Sequence, residues 1–218
     1  MTIPKWKQNL IAGYQNFRKG AYRAQKEKFE QVGTHGQNPD VMVIACSDSR
    51  ANPSTIFNAF PGEIFVVRNV ANIVPPYNPS TGFHGTSAAI EFAVKALKVK
   101  AVMVMGHESC GGVKAFLNDV EEGHKADACE HSFLSSWIHI LDTAHARLAQ
   151  AGDGSEASQR QMEYAGVRQS LTNLMSFPFV EKAVAAGELS LLGAYFSIVA
   201  GKLRFADKDG IFKEVPEK

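Results

Sequence analysis

Several features that would assign the chain to a specialised class are scarce or missing. Cysteine occurs three times in 218 residues, as Cys46, Cys110 and Cys129. This odd and small number does not predict a disulfide framework. Charge of one sign is not in excess, because 23 Lys and Arg residues are balanced by 22 Asp and Glu residues. Without a basic stripe, we expect neither a nucleic acid nor a membrane as the main partner.

Long apolar runs are lacking as well. The N-terminal segment carries charges every few residues and has no signal-peptide pattern. No window approaches ~18 consecutive apolar residues, so no transmembrane helix is expected. We therefore expect a cytoplasmic protein. The length fits one large or two small domains, and 45% hydrophobic residues are enough for a substantial core.

Three short apolar runs predict strands. They cover residues 41–45, 64–67 and 101–105. Continuous apolar runs of this length are typical of strands buried on both faces, as in a parallel sheet. Residues 85–97 lie between the second and third runs and have the apolar spacing of a helix. A right-handed strand–helix–strand crossover is therefore predicted.

The remaining segments predict helices and a terminal hairpin. Helices are expected at about 5–31, 113–120, 131–150 and 159–176, while residues 189–196 return to strand character. A Gly201-Lys202 turn then leads into a last short strand at 203–205. We predict an α/β fold with a mostly parallel central sheet of four strands, one C-terminal antiparallel strand, helices on both faces and an N-terminal helical arm.

Candidate metal ligands follow two of the predicted strands. Cys46 comes directly after the first run, and His107 and Cys110 follow the third. In open α/β sheets, ligands bind beyond the carboxyl ends of the strands, so we expect these side chains at one edge. Three such protein ligands with an open fourth position are typical of catalytic Zn²⁺. Cys129 lies in a polar stretch without a CxxC partner, which favours an open site with one zinc per chain.

Asp48 and Arg50 lie in the loop that begins at Cys46. A carboxylate held by a guanidinium can accept the hydrogen of a zinc-bound hydroxide and thereby orient its lone pair. Metal binding lowers the pKa of water from ~16 toward ~7. We interpret Asp48 and Arg50 as the catalytic pair of such a site.

Four motifs together resemble the signatures of the β-carbonic anhydrases. They are CSDSR at 46–50, PGE at 61–63, RNVAN at 68–72 and GHESCGG at 106–112. The resemblance implies reversible hydration of carbon dioxide to bicarbonate and a proton. It also implies a single domain over residues 1–218, with a helical arm at 1–35 that clasps the partner subunit of a homodimer. Such dimers can build tetramers or octamers.

The same resemblance implies a role for each site residue. Cys46, His107 and Cys110 correspond to the zinc ligands, and Asp48 with Arg50 to the pair that orients the nucleophile. Residues 74–77 and 85–92 are similar to the plant-type branch, in which the counterpart of Asp48 tends to stay off the zinc. The other branch has a tryptophan of an inhibitory bicarbonate site where this chain has Val43, so no such inhibition is expected.

Four residues are implied in substrate binding. Gly111 lies in the turn just before the predicted helix at 113–120, where a backbone N–H can face an anion. Phe60, Tyr77 and Phe92 occupy family pocket positions; Phe60 replaces a glutamine of the plant-type enzymes and Phe92 a tyrosine. Both replacements make the pocket more apolar, so we expect weaker bicarbonate binding.

Two other functions remain open from the sequence. Hydrolysis of carbon disulfide or carbonyl sulfide uses the same attack on an sp carbon, and an apolar pocket is compatible with it. A zinc-bearing protein without catalysis is the second alternative. The Asp48–Arg50 pair argues against it, because a purely structural site has no use for an oriented hydroxide.

Overall fold

A six-stranded sheet forms the centre of the computed structural model, which describes residues 3–80, 82–123, 132–151 and 158–217. The strands are β1 (Val41–Cys46), β2 (Ile64–Asn69), β3 (Ala101–His107), β4 (Ser190–Ser197), β5 (Lys202–Ala206) and β6 (Phe212–Glu214). Their order is β2-β1-β3-β4-β5-β6; the first four are parallel, and β5 and β6 are antiparallel. The predicted sheet is confirmed, and β6 extends it by a strand that the sequence analysis did not predict.

Helices surround this sheet. Those of the described residues are α1 (Lys5–Lys19), α2 (Ala21–Ala24), α3 (Lys26–His35), α4 (Pro53–Ile56), α5 (Gly85–Glu91), α6 (Gly111–Glu121), α7 (Phe133–Ile138), α8 (Asp142–Ala151), α9 (Gln159–Leu174) and α10 (Pro178–Ala185). A π-helical turn at Phe92–Ala96 continues α5. The predicted helix at 131–150 is divided into α7 and α8 by a 3₁₀ turn at His139–Leu141. Cys129 lies outside the described residues.

The start of α9 is fixed by its own sequence. The Ser158 hydroxyl accepts a hydrogen bond from the Gln161 backbone N–H, and the Gln161 side chain accepts one from the Ser158 N–H. This reciprocal capping box satisfies two of the N–H groups that a helix start leaves unpaired. The first turn of α9, which lies close to the site described below, therefore has a defined position.

Alternate residues of the parallel strands pack into two different layers. Met42 and Ile44 of β1 face α5, α9 and α10, in a cluster that includes Ile90, Val167 and Val180. Val43 and Ala45 point to the opposite face, where Ile56 of α4 packs. Burying each large aliphatic side chain contributes roughly 1.5–3 kcal/mol. Helices α6 to α9 form a third cluster beyond the carboxyl ends of the strands, around Phe116, Leu141 and Met162.

The N-terminal helices α1, α2 and α3 contain no buried residue. On α1, Trp6, Leu10 and Tyr14 are 65%, 67% and 62% exposed. The predicted helical arm is therefore confirmed as helical, whereas its contact with a partner subunit stays a prediction. Among the residues that the structure describes, no helix has the length and apolarity needed to cross a bilayer.

The strand order reverses between β1 and β3. The chain passes from β1 to β2 on one side and later reaches β3 on the other side of β1. In doubly wound sheets, the carboxyl ends of the strands at such a reversal border a crevice that binds ligands. Here these ends are Cys46 and His107.

Candidate metal centre

Cys46, His107 and Cys110 form one buried group, the Cys–His–Cys cluster. Their possible ligand atoms all lie within 4.8 Å of one another, and the two Sγ atoms are 3.9 Å apart. Cys46 ends β1 and His107 ends β3, two strands paired in parallel. Cys110 is the N-cap residue of α6. The sheet thus brings together residues that are more than sixty positions apart in sequence.

The hydrogen bonds of His107 leave one ring nitrogen available. Nδ1 lies 2.9 Å from the carbonyl oxygen of Glu108; because a carbonyl only accepts, Nδ1 carries the hydrogen and Nε2 the lone pair. Nε2 is buried and has no hydrogen-bond partner among the residues that the structure describes. Leaving a buried acceptor unpaired costs about 1–3 kcal/mol. Two sulfurs and this nitrogen are ligands that Zn²⁺ prefers, so the residues fit a zinc ion.

The two thiols have different acidities. The hydrogen bond with Cys110 lowers the pKa of Cys46, and the same contact together with burial raises the pKa of Cys110. Burial disfavours the charged form of His107, but the negative charge of the neighbouring Cys46 thiolate favours it, and on balance the pKa of His107 is raised. A divalent cation stabilises both thiolates through its own charge.

Asp48 and Arg50 form a two-pronged ion pair beside the cluster. Arg50 Nε lies 3.0 Å from Asp48 Oδ1, and Arg50 Nη2 lies 2.6 Å from Oδ2. Nη2 also donates to the Ser109 carbonyl at 3.2 Å, which connects the pair to the loop between His107 and Cys110. The hydrogen bonds from Arg50 hold the pKa of Asp48 well below its usual range, so the carboxylate is ionised at neutral pH. The structure brings the predicted pair together, and its catalytic role stays a prediction.

The loop that carries Asp48 is anchored by Arg68 of β2. Arg68 Nε donates to the Cys46 carbonyl at 2.7 Å, and Nη2 donates to the Asp48 carbonyl at 2.5 Å. Arg68 thus fixes the main chain on either side of Ser47. The RNVAN motif was the sequence signal for this residue, and the contacts explain what its arginine does.

Glu163 was not singled out by the sequence analysis. It is buried on α9, and its Oε1 accepts from the Cys110 backbone N–H at 2.9 Å. Its Oε2 accepts from the Tyr195 hydroxyl at 2.7 Å. Burial raises the pKa of Tyr195, which keeps that hydroxyl protonated and able to donate. A glutamate among the apolar positions of a helix, next to Met162, is the signal that identifies such a residue.

The predicted substrate residues lie in different places. Gly111 begins α6 directly beside Cys110 and is exposed. Phe60, Tyr77 and Phe92 are each about half exposed on the surface of the single chain. The rings of Tyr77 and Phe92 pack against other aromatic rings, those of Phe177 and Phe65. That these three residues line a substrate pocket stays a prediction.

An apolar cavity of about 690 Å³ lies on the β2 side of the cluster. Its lining includes Asn69, Val70, Phe83, Thr86, Phe133 and Trp137. Asn69 is the register partner of Cys46, and Trp137 Nε1 donates to the Val70 carbonyl at 2.8 Å. This cavity was not predicted, because its walls come from segments that lie far apart in the sequence.

Comparisons with known proteins agree with this fold. A family model described as carbonic anhydrase matches residues 41–203. Beta carbonic anhydrase 3 of Arabidopsis thaliana is 34% identical over 211 residues, which cover 96% of this chain and 79% of that protein. The chain belongs to the β-carbonic anhydrase family. Its enzymatic class is accordingly that of carbonic anhydrase, a lyase.

Solved structures of this family share the fold. The β-carbonic anhydrase CcaA is 30% identical with a TM-score of 0.83, and the match covers 97% of this chain and 100% of that chain. A tetrameric β-carbonic anhydrase from Sordaria macrospora is 30% identical with a TM-score of 0.68, over 91% of this chain and 92% of that chain. An α/β sheet with a C-terminal antiparallel extension and an N-terminal helix is thus the architecture of the family.

Proposed function

We propose that each chain binds one Zn²⁺ through Cys46, His107 and Cys110 and reversibly hydrates carbon dioxide to bicarbonate and a proton. The observation that carries this proposal is the buried cluster of Cys46, His107 and Cys110, whose ligand atoms lie within 4.8 Å of one another, with His107 Nε2 left without a partner among the described residues. Membership of the family supports the same reaction. When bound, zinc supplies a Lewis acid that lowers the pKa of water from ~16 toward ~7.

Asp48 and Arg50 act on the nucleophile in this proposal. The ionised Asp48 carboxylate is only an acceptor, so it takes a hydrogen bond from the attacking oxygen and directs a lone pair toward carbon dioxide. Arg50 restricts the carboxylate to one orientation through two parallel hydrogen bonds. Backbone N–H groups at the start of α6, beginning with Gly111, are then placed to receive the product anion.

We further propose that Phe60, Tyr77 and Phe92 line a pocket completed by a second subunit. In the single chain these rings are half exposed, which leaves them available to an adjacent chain. The apolar face of α1 is exposed in the same way, and we propose that the arm at 1–35 contacts the partner of a homodimer. A tetrameric relative shows that family members assemble further. Free thiols as ligands also favour a reducing, cytoplasmic location.

Stopped-flow carbon dioxide hydration, measured against pH with zinc determined on the same sample, tests the proposal. We expect about one zinc per chain and a rate that rises with pH through an apparent pKa near neutrality or above. Stoichiometric zinc without hydration at any pH would contradict the reaction and direct attention to carbon disulfide or carbonyl sulfide. Active protein without zinc would contradict the metal.

A further inference from the structure

Helix α9 holds the main chain of Cys110 at both of its polar groups. Glu163 Oε1 accepts from the Cys110 N–H at 2.9 Å, and Gln159 Nε2 donates to the Cys110 carbonyl at 3.1 Å. Gln159 and Glu163 are one helical turn apart and also bond each other, Nε2 to Oε1, at 3.1 Å. We name these two residues the Cys110 clamp. The zinc-ligand peptide is thus fixed by side chains about fifty residues further along the chain.

The clamp is itself held in place from the sheet. Tyr195 of β4 is fully buried and donates its hydroxyl hydrogen to Glu163 Oε2 at 2.7 Å. Tyr195 is the register partner of Gly106, the residue before the ligand His107. A Cβ at Gly106 would lie 2.8 Å from Val167 Cγ2, which shows how closely β3 passes α9. Strands β3 and β4 and helix α9 are therefore held at a fixed distance from one another next to the loop between His107 and Cys110.

The loop between His107 and Cys110 needs an external restraint. Ser109 has a φ of +55°, a conformation that costs a non-glycine residue free energy. The backbone N–H of Cys110, which follows this strained residue, is bonded to Glu163. Without that bond, the loop can relax and move the Cys110 sulfur away from the other two ligands.

We propose that Glu163, oriented by Tyr195 and Gln159, is a positioning residue that keeps Cys110 in ligating geometry and so slows the loss of zinc. The inference rests on the zinc site proposed above. It assigns to Glu163 no contact with substrate and no proton transfer. What it predicts is a property of the metal complex itself, which is measurable without turnover.

The test is the rate of zinc release to a chromogenic chelator at neutral pH and a temperature far below unfolding. Glu163→Ala is expected to release zinc about 10–100-fold faster, the usual effect of removing a partner of a metal ligand. Tyr195→Phe, which removes one hydrogen bond, is expected to accelerate release about five-fold. Glu163→Gln keeps an acceptor for the Cys110 N–H, and Tyr195 can accept from its amide, so release should stay within about three-fold of wild type.

Asn173→Ala is the matched control. Asn173 is buried on the same helix and donates to the Val74 carbonyl at 2.7 Å, away from the ligand loop. The Asn173→Ala substitution is expected to lower the stability of the protein without changing the rate of zinc release. The Co²⁺-substituted proteins give a second readout, because the absorption bands of Co²⁺ report its coordination geometry. We expect altered bands for Glu163→Ala and wild-type bands for Glu163→Gln and Asn173→Ala.

The outcomes separate the two proposals. If the wild-type chain binds no zinc, the proposed function fails. If it binds zinc, and if Tyr195→Phe and the folded Glu163→Ala protein release it at the wild-type rate with unchanged Co²⁺ bands, only the positioning role is overturned. Should Glu163→Ala not fold, the zinc release rate of Tyr195→Phe still decides the question. Faster release from Asn173→Ala, equal to that from Glu163→Ala, would also overturn it, because the effect would then be general loosening of α9.

Discussion

At the scale of single residues, the site combines ligands that sequence motifs identify with supports that they do not. Cys46, His107 and Cys110 were predicted as a group because strand ends of a parallel sheet meet at one edge. Glu163 was not predicted, since its contact with Cys110 spans 53 residues and depends on how α9 packs against the sheet. Short sequence motifs therefore identify the candidate ligands, whereas the residues that hold them in place depend on tertiary packing.

The first prediction concerns the orienting role of Asp48. Asp48→Ala removes the carboxylate without removing a member of the Cys–His–Cys cluster. We expect full zinc content and a loss of turnover of about 10–100-fold, the usual cost of deleting a partner of a metal site. Zinc analysis and stopped-flow hydration on the same sample check both parts. Turnover at the wild-type level would remove Asp48 from the mechanism.

The depressed pKa of Asp48 also gives a prediction for stability. The pKa of the Asp48 carboxyl group is lower in the folded than in the unfolded chain. Such a group stabilises the fold at pH values above its pKa in the unfolded chain, ~3.9. This contribution is lost as the pH falls through the folded-state pKa. Hydrogen bonds to a charged group contribute roughly 1–3 kcal/mol, so Asp48→Asn should be less stable by about this amount at pH 7.

Urea unfolding of both proteins between pH 7 and pH 3 measures this difference. A chelator is added to each sample so that both proteins are compared without zinc. The difference in the free energy of unfolding between wild type and Asp48→Asn should become smaller below about pH 4. A gap that stays constant over the whole range would mean that the Asp48–Arg50 pair does not stabilise the fold.

At the scale of secondary structure, long periodic segments were predictable and short or interrupted ones were not. Strands β1, β2 and β3 have continuous apolar runs, although only β1 and β3 are buried and β2, at the edge of the sheet, is partly buried. Strand β6 has only three residues, of which none is buried, so its sequence has no apolar pattern that would predict a strand. The break at His139–Leu141 contains neither glycine nor proline, and only tertiary packing of His139 and Leu141 reveals it.

The start of α6 allows a prediction with an internal control. A Cβ at Gly112 would lie 2.6 Å from Val70 Cγ1 and 3.0 Å from Ala71 Cβ, whereas a Cβ at Gly111 would meet nothing within 4 Å. Gly112→Ala therefore forces α6 to shift and should cost about 1–3 kcal/mol. Gly111→Ala should be neutral or stabilising by up to ~1 kcal/mol, because alanine is the better helix former.

Denaturant unfolding of the two zinc-bound variants provides the comparison. Because Cys110 is the N-cap of α6, the shift in Gly112→Ala should also weaken zinc binding. Equal stability of both variants would show that the Val70–Ala71 turn moves to make room for the new methyl group and that α6 stays in place.

At the scale of the whole molecule, the residues that the structure describes leave an apolar face of α1 exposed. Trp6, Leu10 and Tyr14 recur at intervals of four residues, so they share one face of the helix. Exposed apolar faces of this kind mark interaction sites. The sequence predicted the arm as a helix, but what it contacts depends on a second chain.

Leu10→Asp tests whether this face joins two subunits. A carboxylate at the centre of an apolar interface should weaken the dimer about tenfold or more, since burying an unpaired charge is costly. Gln15→Asp places the same charge on the opposite face of α1 and should leave association unchanged. Sedimentation velocity over a range of concentrations measures both. Equal association of the two variants would place the subunit interface elsewhere.

The contact between Cys110 and Glu163 has a consequence for the order in which the site is made. During translation, all three ligands leave the ribosome before the helix that holds one of them, and the interval is 53 residues. At about 5–20 residues per second, this delay is roughly 3–10 s. A nascent chain can therefore expose a complete set of zinc ligands for seconds before the final shape of the site exists. If the proposed zinc binds during this interval, it binds before Glu163 can hold Cys110 in place.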